Sequence, residues 1–202
     1  MLIVRRGGIE LLGHRFDPKH VERLDNPERR KMLPPDDILA HLAIESTSVV
    51  ADIGCGPGYF TIPAARMTEA TVYGVDVSTE MLRILDERTT QQGLTNISTL
   101  ESKAEHVALP DHSVDRLICS LVLHEVDDLL QTLKEFKRIL HPNGKVLFLE
   151  WEKKSMEVGP PLHERIEAEE LLRLVKLAGF RCEASSPNPF QYMLTGDCVS
   201  AK

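Results

Sequence analysis

The feature that most constrains this chain is a glycine-rich turn directly after a short apolar segment. The segment is Val49-Val50-Ala51-Asp52-Ile53, and the turn carries Gly54, Gly56 and Gly58 at alternate positions. Glycine lets a backbone turn tightly and approach a ligand where a Cβ atom would collide. Three glycines in this position predict a ligand-binding turn between a strand and a helix, rather than a plain connection.

Apolar and amphipathic segments alternate along the rest of the chain. Further strands are predicted at 70–77, 96–100, 114–122 and 145–151, with helices over 38–44, after Ser78, after Asp128 and over 164–178. The last two apolar segments, 180–184 and 191–199, are too close for a helix between them, so we expect them to pair antiparallel. The pattern predicts an α/β fold with a doubly wound sheet, whose ligands bind beyond the carboxyl ends of the strands.

Composition excludes several classes of protein. The 202 residues carry a formal charge of -7 and only 5% aromatic residues, which argues against nucleic acid as a partner. No apolar stretch is long enough for a membrane helix, and no signal peptide is evident. The four cysteines form no CxxC motif, so we expect no metal site and four small buried side chains in a reducing cytoplasm.

The acids near the turn discriminate between cofactors. A dinucleotide fingerprint places its third glycine at position 59, which is Tyr59 here. Asp52 would repel a pyrophosphate but attract an amino group or a sulfonium. Asp76 lies 22 residues after Gly54, where a carboxylate can hold ribose hydroxyls, or alternatively cap the next helix. The spacing therefore favours S-adenosylmethionine over NAD.

Four segments together resemble a class I S-adenosylmethionine-dependent methyltransferase: 49–65, 72–82, 104–115 and 121–127. They most resemble the small methyltransferases related to the menaquinone and ubiquinone C-methyltransferases. The resemblance spans residues 36–184. It implies a Rossmann-like, seven-stranded, mostly parallel sheet with an antiparallel C-terminal hairpin, and methyl transfer that leaves S-adenosylhomocysteine. It is specific for the cofactor and poorly specific for the acceptor.

The resemblance also implies cofactor-binding roles for residues on four segments. The glycines would line the amino-acid portion with Asp52 near its ammonium, and Asp76 would hold the ribose. Where the family commonly has an adenine-binding Asp, this chain has Lys103, so that contact falls to Ala104 or Glu105. The full set is Asp52, Gly54, Cys55, Gly56, Gly58, Asp76, Val77, Met81, Ala104, Glu105, Ser120 and Leu121.

Methyl transfer needs alignment of the acceptor, and a base where the acceptor must lose a proton. The candidate catalytic residues are His124, Glu125 and His163, with Glu150 and Glu164 also placed by position. Each has a plainer interpretation, since His124 could pack the next helix and His163 could lie at an exposed helix start. Trp151 is either core or a wall of the acceptor pocket.

Two units are expected, an N-terminal arm over residues 1–35 and a cofactor-binding domain over 36–202. The arm is the best candidate for a lid, in which Arg15-Phe16-Asp17 and the basic run at 29–31 would meet an acceptor. A solvated charged segment is the alternative. The leading function is methyl transfer to a small molecule, without nucleic acid or membrane partners and with the oligomeric state open. An NAD-dependent oxidoreductase and a non-catalytic cofactor-binding protein are the alternatives.

Overall fold

A computed structural model describes residues 24–199, and residues 1–23 and 200–202 lie outside the description. The strands are β1 Val50–Ile53, β2 Val72–Asp76, β3 Ile97–Glu101, β4 Val114–Ser120, β5 Leu140–Trp151, β6 Phe180–Asn188 and β7 Gln191–Cys198. The helices are α1 Pro27–Met32, α2 Pro35–Ala40, α3 Thr61–Ala65, α4 Thr79–Gln91, α5 Leu129–Ile139 and α6 Ala168–Ala178.

The strands form one seven-stranded sheet in the order β3-β2-β1-β4-β5-β7-β6. Strands β1 to β5 pair in parallel, whereas β7 runs antiparallel to both β5 and β6. The predicted α/β fold and its C-terminal hairpin are confirmed. The chain order reverses between β1 and β4, and this is the switch point where ligands bind on such sheets.

Local signals set several helix ends as predicted. The Oγ of Ser78 accepts the amide of Met81 at the start of α4, and Asp128 accepts the amide of Gln131 at the start of α5. Gly179 ends α6 in the left-handed region, with φ 98°. These caps fix where each helix leaves the sheet.

Several boundaries differ from the sequence expectation, and β5 begins at Leu140 rather than 145. The first helix of the domain ends at Ala40 because the backbone turns to positive φ at Ala43. The last helix starts at Ala168 rather than 164, since the preceding residues form a loop. Strand β6 extends to Asn188 because β7 pairs with it along most of that length.

The core packs on both faces of the sheet. On one face, the Phe148 ring stacks on Phe136 at 6.1 Å between centroids and meets Phe180 edge-on at 5.9 Å. The other face buries residues such as Leu39 and Leu147 against β1 and β4. All four cysteines are buried and unpaired, as expected. In the part of the chain that the structure describes, no helix is long and apolar enough to cross a membrane.

Candidate active site

The glycine turn leaves β1 with three residues at positive φ, which only glycine adopts easily. The φ values are 71° at Gly54, 51° at Gly56 and 92° at Gly58. The amides of Gly54 and Cys55 both donate to the carbonyl of Val75, at 2.7 and 3.0 Å. These bonds hold the turn against the end of β2.

The glycines differ in what a side chain would meet. A Cβ on Gly54 would lie 2.1 Å from Val122 Cγ2, so this glycine lets the segment after β4 pack closely. A Cβ on Gly56 would meet only Leu24 Cδ1, at 3.7 Å. Gly56 is therefore the place where the turn leaves room for a ligand.

Asp76, at the end of β2, connects two backbone turns. One carboxylate oxygen accepts the amide of Gly56 at 2.8 Å, and the other accepts the amide of Ser78 at 2.9 Å. Ser78 itself caps α4. The helix-cap alternative for Asp76 is thus filled by Ser78, and each oxygen of the Asp76 carboxylate accepts a backbone amide.

Asp52 lies behind the turn and is only 2% exposed. The hydroxyl of Thr61 donates to its Oδ2 at 2.6 Å. Burial raises the pKa of Asp52 to about 7, opposed by the Thr61 hydroxyl and reinforced by Asp76. A positively charged group beside this carboxylate would favour its ionised form.

The residues predicted to lie near the adenine differ in how exposed their side chains are. Val77 is exposed on the surface, whereas Met81 and Ala104 are buried. Glu105 accepts the amide of Asp127 at 2.9 Å, which joins the loop after β3 to the loop after β4. The structure therefore offers Glu105 as a wall of the site with one oxygen already engaged.

The end of β4 carries an unpartnered polar atom. The buried Oγ of Ser120 has no hydrogen-bond partner among the described residues. Leu121 follows with φ 59°, a strained value for a branched residue. Strain and an unsatisfied hydroxyl are typical of a binding edge rather than of plain core.

His124 and Glu150 form a buried pair across β4 and β5. The distance from His124 Nδ1 to Glu150 Oε2 is 2.8 Å, and Nδ1 donates because a carboxylate only accepts. The Oε1 of Glu125 lies 3.7 Å from His124 Nε2. Burial lowers the pKa of His124, but Glu150 and then Glu125 outweigh it, so the net shift is upward. Burial raises the pKa of Glu125 to about 7, although His124 opposes this.

His163 does not join this pair. Its side chain is 82% exposed and lies 3.7 Å from Glu164. Its neighbour Glu164 is the more central group, because its charge acts on both His124 and Glu125. A catalytic role for His163 therefore stays a prediction, and its side chain lies exposed in the loop before α6 rather than at a helix start.

Arg165 is a residue that the sequence analysis missed. It is 4% exposed, and its guanidinium donates to four carbonyls of the preceding loop, those of Glu152, Lys154, Val158 and Pro160, at 2.8 to 3.2 Å. Gly159 of this loop lies directly on the Trp151 indole, since a Cβ there would be 2.9 Å from the ring. The sequence around Arg165, an arginine among acidic residues, does not indicate that its side chain is buried and holds a loop.

Comparison with known proteins agrees with this geometry. The model of the family described as "Methyltransferase domain" matches residues 51–148, which include β1 to β4 and the glycine turn. A solved S-adenosylmethionine-dependent methyltransferase from Aquifex aeolicus is 27% identical, with a TM-score of 0.85, over 92% of this chain and 100% of that one. Nearly half of the chain thus matches the methyltransferase-domain family, and the solved methyltransferase has the same fold over most of the chain.

Curated relatives of this chain are named demethylmenaquinone methyltransferase. The protein from Geobacillus sp. (strain WCH70) is 28% identical over 70% of this chain and 63% of its own length. That from Geobacillus stearothermophilus is 28% identical over 65% of this chain and 58% of its own length. The chain thus spans less than two thirds of the length of these relatives.

The described part of the arm, residues 24–35, packs onto the helix and turn that follow β1. The guanidinium of Arg29 lies over the Tyr59 ring, 4.1 Å from its centroid, and the Tyr59 hydroxyl donates to the carbonyl of Leu33 at 2.6 Å. Asp25 pairs with Arg88 of α4 at 3.1 Å. From the sequence, Tyr59 was considered only as the position where a dinucleotide fingerprint would have its third glycine. Arg15-Phe16-Asp17 lies outside the described residues.

Proposed function

We propose that this chain transfers a methyl group from S-adenosylmethionine to a small-molecule acceptor by in-line displacement. The proposal rests on one observation, which is that two groups of residues lie at the same edge of the sheet. The glycine turn after β1 and Asp76 after β2 lie beside the His124–Glu150 pair after β4 and β5. A cofactor-binding half and a proton-handling half therefore meet at the switch point of the sheet.

The cofactor half fits the family's cofactor, which supplies an activated methyl group on a sulfonium. Gly56 leaves open space above the turn, and Asp76 presents a carboxylate for ribose hydroxyls. Asp52 would ionise beside the ammonium, directly or through water, and Ser120 holds a buried hydroxyl that lacks a partner among the described residues. Each group offers the kind of contact that this cofactor requires.

The acceptor half is suited to hold and remove a proton. Glu150 fixes the ring of His124 through Nδ1, which directs Nε2 toward Glu125. With its pKa raised to about 7, Glu125 can accept a proton near neutral pH and release it afterwards. We propose His124 and Glu125 as the groups that handle the acceptor proton, and Glu150 as a positioning residue.

We further propose residues 1–35 as an arm that covers the cofactor, with the domain over 36–202. Support comes from the described portion, where Leu24 lies over Gly56 and Arg29 over Tyr59. The arm would thereby exclude water from the cofactor side.

The relatives' names support the reaction class, and the chain spans less than two thirds of their length. A net charge of -7 favours a small molecule over a polyanion as the acceptor.

The proposal is tested by calorimetric titration of the full chain with S-adenosylhomocysteine, S-adenosylmethionine and NADH. We expect saturable binding of the first two and none of NADH. Incubation with labelled S-adenosylmethionine and small phenols and amines should then yield S-adenosylhomocysteine and methylated product. Saturable NADH binding without binding of either methionine derivative would overturn the proposal.

A further inference from the structure

We propose that the loop between β5 and α6 holds a binding site for a small carboxylate with an apolar body. The site is a cleft of about 320 Å³ in this loop, lined by Lys154, Ser155, Met156, Gly159, Pro160, Pro161, Leu162 and Arg165. None of these residues belongs to the two halves of the proposed active site. The inference therefore stands apart from the proposed function.

The walls of the cleft are basic, although the chain as a whole is acidic. Two of the lining residues, Lys154 and Arg165, are cations and none is an acid, whereas the chain has 31 acidic and 24 basic residues. The loop does contain Glu152, Glu157 and Glu164, but these three do not line the cleft. An anion in the cleft would therefore be attracted by two nearby cations.

Arg165 supplies an independent sign that a counter-charge is missing. It is 4% exposed, and the four acceptors of its guanidinium are backbone carbonyls. Carbonyls are neutral, so these bonds engage donors without cancelling the charge. Among residues 24–199, neither Arg165 nor Lys154 forms an ion pair with a carboxylate. A buried charge without a counter-charge is unfavourable, and a bound carboxylate would compensate it.

The cleft also offers hydrogen-bond donors for the two oxygens of a carboxylate. A guanidinium has five N–H donors, and Arg165 uses one on Nε, two on Nη1 and one on Nη2. One N–H of Nη2 is thus left without an acceptor in the described part of the chain. The ammonium of Lys154 and the hydroxyl of Ser155 add exposed donors at the rim. Charged donors of this kind form the stronger hydrogen bonds to carboxylates.

The other walls indicate what the carboxylate is attached to. Met156, Pro160, Pro161 and Leu162 are apolar, and Leu162 is 49% exposed. A cavity of roughly 150 Å³ accommodates benzene, and small-molecule sites begin near about 300 Å³. The cleft therefore suits an anion of the size of benzoate, whose ring would cover these apolar side chains. A bare inorganic anion would leave them in water.

The cleft is held in shape before any ligand arrives. The bonds from Arg165 tie together the carbonyls of residues 152, 154, 158 and 160, and the amide of Lys154 donates to the carbonyl of Glu152 at 2.9 Å. Binding would then cost little ordering of the loop. Gly159 connects the cleft to a natural reporter, because a Cβ there would lie 2.9 Å from the ring of Trp151, the only tryptophan in the sequence.

The test compares two probes of nearly equal shape, benzoate and its neutral amide, benzamide. Each is titrated into the full chain at pH 7 and low salt, with calorimetry to measure affinity and Trp151 fluorescence as a second readout. We expect saturable benzoate binding in the millimolar range or tighter, at least about tenfold tighter than that of benzamide.

Two lysine variants locate the site. Lys154→Gln should weaken benzoate binding by about fivefold or more, whereas Lys153→Gln, the same change of charge outside the lining, should alter it by less than about twofold. The side chain of Lys154 is exposed and makes no hydrogen bond or ion pair among the described residues, so its replacement leaves the folded loop intact.

Absence of saturable benzoate binding, equal affinity for the two probes, or equal effects of the two lysine variants overturns the carboxylate site and leaves the proposed function intact. Benzoate binding to a protein that does not bind S-adenosylhomocysteine supports the carboxylate site and counts against the proposed function alone.

Discussion

Replacing Asp52 with asparagine should make the protein more stable as the pH rises, relative to the unchanged chain. Burial holds the pKa of Asp52 near 7, against its ordinary 3.8. An acid whose pKa is raised by folding binds its proton more tightly in the folded state. Its contribution to stability is therefore lost as the pH rises from about 4 through about 7. Asparagine does not titrate, so it escapes this loss.

The magnitude follows from the same pKa. The shift of about three units corresponds to ~4 kcal/mol when ionisation is complete, at ~1.4 kcal/mol per unit. Between pH 5 and pH 8 the linkage relation gives ~2–3 kcal/mol of this difference. The hydrogen bond from Thr61 alters the offset between the two proteins but not this slope.

Urea unfolding of both proteins at half-unit steps from pH 5 to pH 8 measures the difference directly. The free energy of unfolding of Asp52→Asn minus that of the original should rise across the series. Asp37→Asn, which changes an exposed carboxylate of α2, serves as the control and should show no comparable rise. Parallel curves for Asp52→Asn would refute the argument that burial governs this carboxyl group.

Asp52 should also couple cofactor binding to proton release. The ammonium of S-adenosylhomocysteine would lower the pKa of Asp52, so binding at pH 7 should release ~0.5 proton. Calorimetry in buffers of different ionisation heat measures this number. Asp52→Asn should release about none and bind more weakly by ~1–3 kcal/mol, the range for a charged hydrogen bond. Equal proton release in both proteins would place the ammonium elsewhere.

Three further changes test the edge of the sheet. Asp76→Ala should weaken S-adenosylhomocysteine binding by ~1–3 kcal/mol in calorimetry, and an unchanged affinity would mean that the ribose lies elsewhere. Gly54→Ala should lower the free energy of unfolding by ~1–3 kcal/mol or more, because its methyl group would meet Val122 at 2.1 Å with φ 71°, and an unaltered melting temperature would contradict this. Tyr59→Phe should cost ~1 kcal/mol in urea unfolding through the lost bond to Leu33, so equal midpoints would show that this bond contributes nothing.

The parts of the fold that were predictable depend on local chemistry. Apolar runs covered on both faces predict strands, and side-chain caps such as Ser78 and Asp128 predict helix starts. The glycine turn was predictable for the same reason. A positive φ depends mainly on the identity of the one residue that adopts it. These signals do not require knowledge of distant contacts.

The interactions that were not predictable depend on distant parts of the chain. His124 and Glu150 could be placed at one edge, but their bond depends on the register that sets Ser120 opposite Leu149. The stacking of Arg29 on Tyr59 depends likewise on how the chain returns over the turn. Arg165 is the extreme case, since all four of its acceptors are backbone carbonyls, which carry no signature in the sequence.

The arrangement around Arg165 resembles a metal site whose ion is part of the chain. A guanidinium surrounded by carbonyl oxygens orders the loop as a bound cation would, but chelators and dilution cannot remove it. His124 and Glu125, on which the charge of Glu164 in the same loop acts, have shifted pKa values and respond to pH. Acidity should therefore change the chemistry at this site while the shape of its cover stays constant.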